Sequence, residues 1–460
     1  MYTMTSYNMI IRFLFCCYLF TIYGTHIRPT SYPLLQHLHG FFGSIGPNIH
    51  IDKTTSLFDL FMGDGVIHGI FFENGTIYPI KHIIQTDKVL YTKKYICHNV
   101  LELVTKMGNL VRDLCLDTKA LMPNMLGTAN TAILNVGHKT LALCEQDMPY
   151  ELNIDFKNKE VTTIGKMECS PIHKHIGPHR FSGHSKYCSH DKHSNNKDHI
   201  SNGVIHTIDY HFLTRIVNYY KMDSNFTVLS RFSKTMEYLP IIHDFWVLGS
   251  GDVIVIDSPF RFWPKLRCIH NIPVVLRKDL HTNIHILGKH QSRTYICNHG
   301  FYCFHYGKVL ETDRTIEICA SLYDELDFNK LSICGKYRQI IIFKDTGSVY
   351  IKKNPILETM NLDFPVSYCN LTVLRRIVDN RIAGFVICNG LEIERVIDLP
   401  DSVCVFGEHI IKEIDGSVYL MAFCKDGSIV LVNMEKDNDV TIVPVFEEGI
   451  TLGFHSCFIC

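Results

Sequence analysis

One local phrase recurs along the chain and limits what it can become. FFENGTIYPI (71–80), FKDTGSVYIKK (343–353), EIDGSVYLMAF (413–423) and CKDGSIVLVNM (424–434) each join two apolar runs through an Asn-Gly, Thr-Gly or Asp-Gly turn. Such turns accept positive φ and match the right-handed twist of paired strands, so each phrase reads as a tight β-hairpin. From about residue 50 onward, short runs rich in Val, Ile, Tyr and Phe alternate with Gly, Asn or Asp turns, and long helical patterns are scarce. Hairpins repeated over roughly 400 residues point to an all-β sandwich array or propeller. The segment 95–121 is the exception: Leu101, Leu103, Val104, Met107, Leu110, Val111 and Leu114 follow i, i+3, i+4 spacing. It reads as one amphipathic helix packed on the sheets as a lid or edge element.

Composition narrows the function classes. With 45 Lys+Arg against 46 Asp+Glu the formal net charge is -1, so there is no global positive field to recruit nucleic acid, and no nucleic-acid partner is expected. GxxxxGK[ST], GxGxxG after a strand, GxSxG and HExxH are all missing from the sequence, which removes the common nucleotide, hydrolase and zinc-protease readings. The chain is instead rich in two metal-binding side chains, with 26 His and 18 Cys. Apart from the adjacent Cys16 and Cys17 the cysteines are scattered singly, and the one CxxC, Cys457 to Cys460, offers two ligands where tetrahedral zinc needs four. They read as small apolar fillers and buried free thiols, which fits a reducing, cytoplasmic compartment.

Residues 9–23 (MIIRFLFCCYLFTIY) are apolar but too short to cross a bilayer and contain Arg12. Three roles fit them: a signal or anchor sequence, a patch lying peripherally on a membrane surface, or an ordinary packed segment. A genuine secretory signal would demand an oxidising route. Between 169 and 211, nine histidines (173, 175, 179, 184, 190, 193, 199, 206 and 211) stand among Ser, Lys, Asn and Asp. Most of this tract reads as a surface loop.

Seven longer blocks carry more information. GSIGPN (43–48), FMGDGVIHGIFFENGTI (61–77) and NTAILNVGHKTLALCEQDMPYEL (130–152) are followed by FSGHSK (181–186), LPIIHDFWVLGSGDVIVIDSPF (239–260), FYCFHYGKVLE (301–311) and LGFHSCFI (452–459). In order and content these resemble the carotenoid cleavage oxygenase family, over about residues 40–460. The resemblance implies a seven-bladed β-propeller spanning 35–460 after an N-terminal apolar segment at 1–34, with long loops and a few helices forming a lid over an axial metal site. It implies His184, His243, His305 and His455 as catalytic residues and ligands of Fe(II). It also implies acidic partners for their far ring nitrogens at Glu145, at Asp363 in LDFP, and at Glu413 in KEIDG. Asp363 stands where the family usually has Glu, so its carboxylate, one methylene shorter, is expected to reach its histidine through water. Trp246 in HDFWVL and Lys308 in HYGKVLE depart from the family blocks and are expected to reshape the cavity.

The activity implied is oxidative cleavage by dioxygen of a carbon–carbon double bond in a carotenoid, apocarotenoid or other polyene, giving two carbonyl products. Similar folds cleave stilbene-type phenolic alkenes or isomerise retinyl esters, and a metal-binding propeller without turnover is the reading outside the enzyme class. A lipid-dissolved substrate would account for an apolar entrance in contact with a membrane, for which 9–23 is a candidate.

Overall fold

The hairpin grammar is realised turn by turn. At Asn74 (φ 51) and Gly75 (φ 76) both turn residues are left-handed while Glu73 pairs with Thr76, and Asp415 (φ 49) and Gly416 (φ 75) repeat this between Ile414 and Ser417. Asp379 (φ 50) and Asn380 (φ 60) make an equivalent turn without glycine, because Asp and Asn tolerate this region better than other side chains.

The structure, a computed structural model, describes residues 32–460 apart from 52–53, 91–126, 146, 169–176, 189–202, 263–272, 290 and 438. The apolar run 9–23, the expected helix at 95–121 and five histidines of the 169–211 tract lie outside the described residues. No helix among the described residues is long and apolar enough to cross a membrane.

Seven four-stranded antiparallel sheets form a seven-bladed propeller. In chain order the blades span 40–83, 132–166, 186–235, 246–297, 302–352, 361–398 and 410–444. The first of these has only three strands of its own, and its inner strand is His455–Ile459, which pairs with Gly40–Pro47. Ring closure therefore joins the two ends of the described chain and carries a histidine from the last few residues to the axis.

Each blade is apolar on both faces, and the core is divided accordingly. Each of the seven interfaces between neighbouring blades holds its own buried apolar cluster, such as Phe41, Ile67, Tyr150 and Leu152 between blades one and two. An eighth cluster gathers inter-blade loops, the short helix Leu57–Phe61 and the two-stranded sheet of Phe260–Phe262 with Val274–Leu276 around Tyr302, Phe304 and Phe328. Trp246 packs in the interface between blades four and five, its ring 6.3 Å from that of Tyr306. The Lys308 ammonium is exposed and donates to the Asn370 carbonyl at 3.3 Å.

Two histidines buried between blades make the fold acid-sensitive. Burial, with Lys81 as a lesser cause, pushes His68 down to about 3; burial, with Arg375 adding to it and Glu408 opposing, does the same for His409. Between about pH 6.5 and 3 the unfolded chain protonates these groups and the folded chain does not, so stability falls as pH falls, by about 1.4 kcal/mol per pH unit for each. Urea midpoints of metal-free protein should decline from pH 6.5 to 5, before carboxylates titrate, and His68→Gln should flatten that slope; an unchanged slope would contradict the assignment.

Candidate metal centre

Each blade sends one side chain toward the axis. His184 lies in the turn before Lys186–Cys188, His243 in the loop before Trp246–Val247, His305 within Tyr302–Glu311, and His455 begins His455–Ile459. These are positions on or next to the inner strands of blades three, four, five and one. The remaining blades contribute carboxylates: Glu145 from blade two, Asp363 from the inner strand of blade six, and Glu408 just before the inner strand of blade seven.

The four imidazoles offer ligand atoms that all lie within 4.8 Å of one another. His184 and His243 bring their Nε2 atoms to 2.9 Å, and the His184 ring centre is 5.1 Å from that of His305 and 4.3 Å from that of His455. The far nitrogens of three rings meet carboxylates. His243 Nδ1 is 2.7 Å from Glu145 Oε1, His305 Nδ1 is 3.0 Å from Asp363 Oδ1, and His455 Nδ1 is 3.2 Å from Glu408 Oε2. A neutral imidazole with its Nδ1 proton held this way directs the Nε2 lone pair inward and is a more basic ligand. His184 faces no carboxylate within ion-pairing distance among the described residues.

Electrostatics favour this protonation pattern. Burial lowers His184 well below the usual imidazole range, and the other three rings add to it; burial likewise lowers His305 against the pull of Asp363. Burial alone would raise the carboxylates, but His243 holds Glu145 below its ordinary value, while His305 and His455 hold Asp363 and Glu408 down to about 2. A neutral His184 and His305, with charged carboxylates behind the cluster, suit a divalent ion. The Nε2 of His305 is buried without a hydrogen-bond partner, a cost that coordination would remove. Imidazole donors suit iron, zinc, copper or nickel.

Local sequence explains the positioning. A bulge between Asp363 and Val366, with Phe364 at φ 53, turns the Asp363 carboxylate to the axis and lays the Phe364 ring 4.5 Å from His305 and 5.2 Å from His455. The shorter Asp363 side chain thus reaches its histidine directly, and no bridging water is needed. Asp244, next to His243, takes Lys186 Nζ at 2.6 Å and the Tyr306 amide at 3.2 Å, tying together the segments that bear His184, His243 and His305. Gly183 leaves room for Glu145: a Cβ there would stand 2.8 Å from Glu145 Oε1 and 2.5 Å from Thr131 Cγ2.

Glu413 does not take part. It is exposed in Ile410–Ile414, next to the hairpin turn and opposite Val418, five residues beyond Glu408. At ~3.3 Å per residue that is about 16 Å along an extended strand, too far to reach the same histidine. Glu408 takes that place instead, an acid just ahead of an inner strand as His184 and His243 are just ahead of theirs. Of the other described histidines in the 169–211 tract, His179 and His211 pack against each other with ring centres 6.4 Å apart, and His206 Nδ1 contacts the Tyr219 hydroxyl at 2.6 Å.

The family described as Retinal pigment epithelial membrane protein matches residues 36–365. A carotenoid 9,10(9',10')-cleavage dioxygenase 1 of Pisum sativum is 24% identical over 236 residues, 50% of this chain and 40% of that protein. The same-named protein of Phaseolus vulgaris is 24% identical over 252 residues, 52% of this chain and 42% of its own length. The matched region thus spans less than half the length of these curated relatives. Among solved structures, cobalt-substituted apocarotenoid oxygenase of Synechocystis superposes with a TM-score of 0.70 at 14% identity, covering 92% of this chain and 93% of that one. Lignostilbene dioxygenase of Pseudomonas brassicacearum gives 0.69 at 16% identity, with 92% of each chain covered. At these identities the structural likeness speaks for the fold.

Proposed function

This chain belongs to the carotenoid cleavage oxygenase family, and on that premise we propose that it is a non-haem Fe(II) dioxygenase that splits a carbon–carbon double bond of a carotenoid or apocarotenoid into two carbonyl products. The observation that carries the reading is the convergence of four imidazoles, three of them backed by carboxylates. When bound, Fe(II) supplies the chemistry that makes dioxygen reactive toward an alkene. Both oxygen atoms enter product and no external reductant is needed, so the protein has few chemical tasks of its own.

His184, His243, His305 and His455 would hold the ion. Four neutral ligands leave its coordination sphere incomplete, as dioxygen chemistry requires. Glu145, Asp363 and Glu408 keep each Nδ1 proton in place and so fix the tautomer and the direction of each ring. Apolar side chains flank the cluster: Phe304 lies 5.3 Å from the His243 ring, and Phe61 lies 5.8 Å from Phe454, the residue before His455. Phe61, Phe454, Leu239 and Ile241 are only partly buried at the edge of the loop cluster. Such a surface suits a long apolar polyene and disfavours water beside the metal.

Recombinant protein loaded anaerobically with Fe(II) should retain about one iron per chain. Offered β-carotene, an apocarotenal and a hydroxystilbene in air, it should release aldehyde or ketone fragments from a polyene, with uptake of one dioxygen per bond cleaved. Stoichiometric iron without oxygen uptake on any of the three would remove the dioxygenase reading and leave a metal-binding propeller.

A further inference from the structure

Beside the cluster lies a buried cation that the ligand scheme does not use. Arg375, on Leu371–Val378, is 5% exposed and is the cross-strand neighbour of Asp363. Its guanidinium carbon sits 3.4 Å from the centre of the Phe364 ring, the ring that also packs on His305 and His455. Nη1 donates to the carbonyl of Gly407 at 2.5 Å, the residue before Glu408, and Nε is buried without a hydrogen-bond partner. Burial pushes the group down to about 10 against the opposing pull of Asp363 and Glu408, so it is charged at neutral pH. A buried guanidinium with one carbonyl and an aromatic face as its contacts is costly unless its charge is needed.

The charges around the axis show what need it meets. Glu145, Asp363 and Glu408 bring three negative charges, and Asp244 is neutralised by Lys186 at 2.6 Å. With Arg375 the assembly is two charges short of neutrality, a deficit that a divalent cation fills and a trivalent one overshoots. Without Arg375 the deficit would be three, and the trivalent ion would be matched. We propose that Arg375 is a positioning residue of charge rather than of shape, biasing the site toward a divalent ion and so holding bound iron in the ferrous state. The inference rests on the iron reading above.

One unit charge within about 10 Å, at an effective dielectric of ~20, changes an ionic equilibrium by roughly tenfold or more. Loss of an electron from Fe(II) to a one-electron mediator such as ferricyanide should therefore be easier by that factor in R375M, a fall in midpoint potential of about 59 mV. R375K, which keeps the charge, should stay near wild type. In E408Q the midpoint should rise, and R375M/E408Q should return toward wild type. Spectroelectrochemical titration, with the ferric signal followed by electron paramagnetic resonance, reads all four.

Zn(II) affinity separates charge from scaffolding, because loss of a merely structural residue loosens the ion. Here R375M should bind Zn(II) about a hundredfold more tightly, since a charge that repels a doubly charged ion is gone. An unchanged midpoint, weaker Zn(II) binding in folded R375M, or a shift in R375K as large as in R375M would each overturn the proposal. Should R375M not fold, the comparison of E408Q with R375M/E408Q decides: equal midpoints would overturn it. If wild type fails to hold iron, the iron reading fails; iron held with unaltered potentials defeats only the role given to Arg375.

Discussion

Replacing His455 by alanine should lower iron from about one per chain to less than about a tenth, and should reduce polyene cleavage by more than about a hundredfold, the upper end of what losing even an outer-shell partner costs. Two losses combine. One of four imidazoles goes, and Glu408, which lies 3.2 Å from His455 Nδ1, is left as a buried carboxylate without its proton partner. Left with only the Ser456 amide and the nearby Arg375, the buried Glu408 carboxylate is less well compensated, so it is more easily protonated and its field helps less to hold a cation. His211→Ala is the control, because that ring packs against His179 and away from the axis. Metal analysis of anaerobically prepared protein, with oxygen uptake on a polyene, reads both effects. A full complement of iron in the His455 variant would show that this ring is not a ligand.

The second large effect separates two glutamates five residues apart. Glu408→Gln keeps size and shape but loses the charge that orients His455 and accepts the Ser456 amide at 3.1 Å, so metal affinity should fall about 10- to 100-fold. Glu413→Gln alters an exposed side chain near a hairpin turn and should leave affinity and cleavage within about twofold of wild type. Competition with a chelator of known affinity, using Zn(II) or Co(II), measures this without turnover. Equal losses in both variants, or a loss confined to Glu413→Gln, would contradict the geometry.

Much of the fold was legible in local sequence. Asn74-Gly75 and Asp415-Gly416 announce their turns because few residues accept positive φ at two successive positions. The turn at Asp379-Asn380 is harder to see because neither residue is glycine. The four histidines that converge could be chosen through family blocks, whereas composition offered twenty-two others. Glu145 and Asp363 were visible in the same way. Glu408 is not legible in the sequence: the acidic match ahead of Asp415-Gly416 falls on Glu413, and neither composition nor hairpin spacing marks which end of a strand meets the axis.

The chain alone determined the kind of element it forms and the order of its hairpins, since turn preference and apolar patterning are properties of short segments, and the four histidines that converge were legible only through the family blocks. Tertiary structure decided which acid serves which histidine, that Asp363 reaches His305 directly, and that Arg375 lies beside both Asp363 and Glu408. Those relations depend on distances between blades far apart in sequence, set by ring closure through His455–Ile459 and by a bulge at Asp363, and a shift of one residue in register would dissolve them.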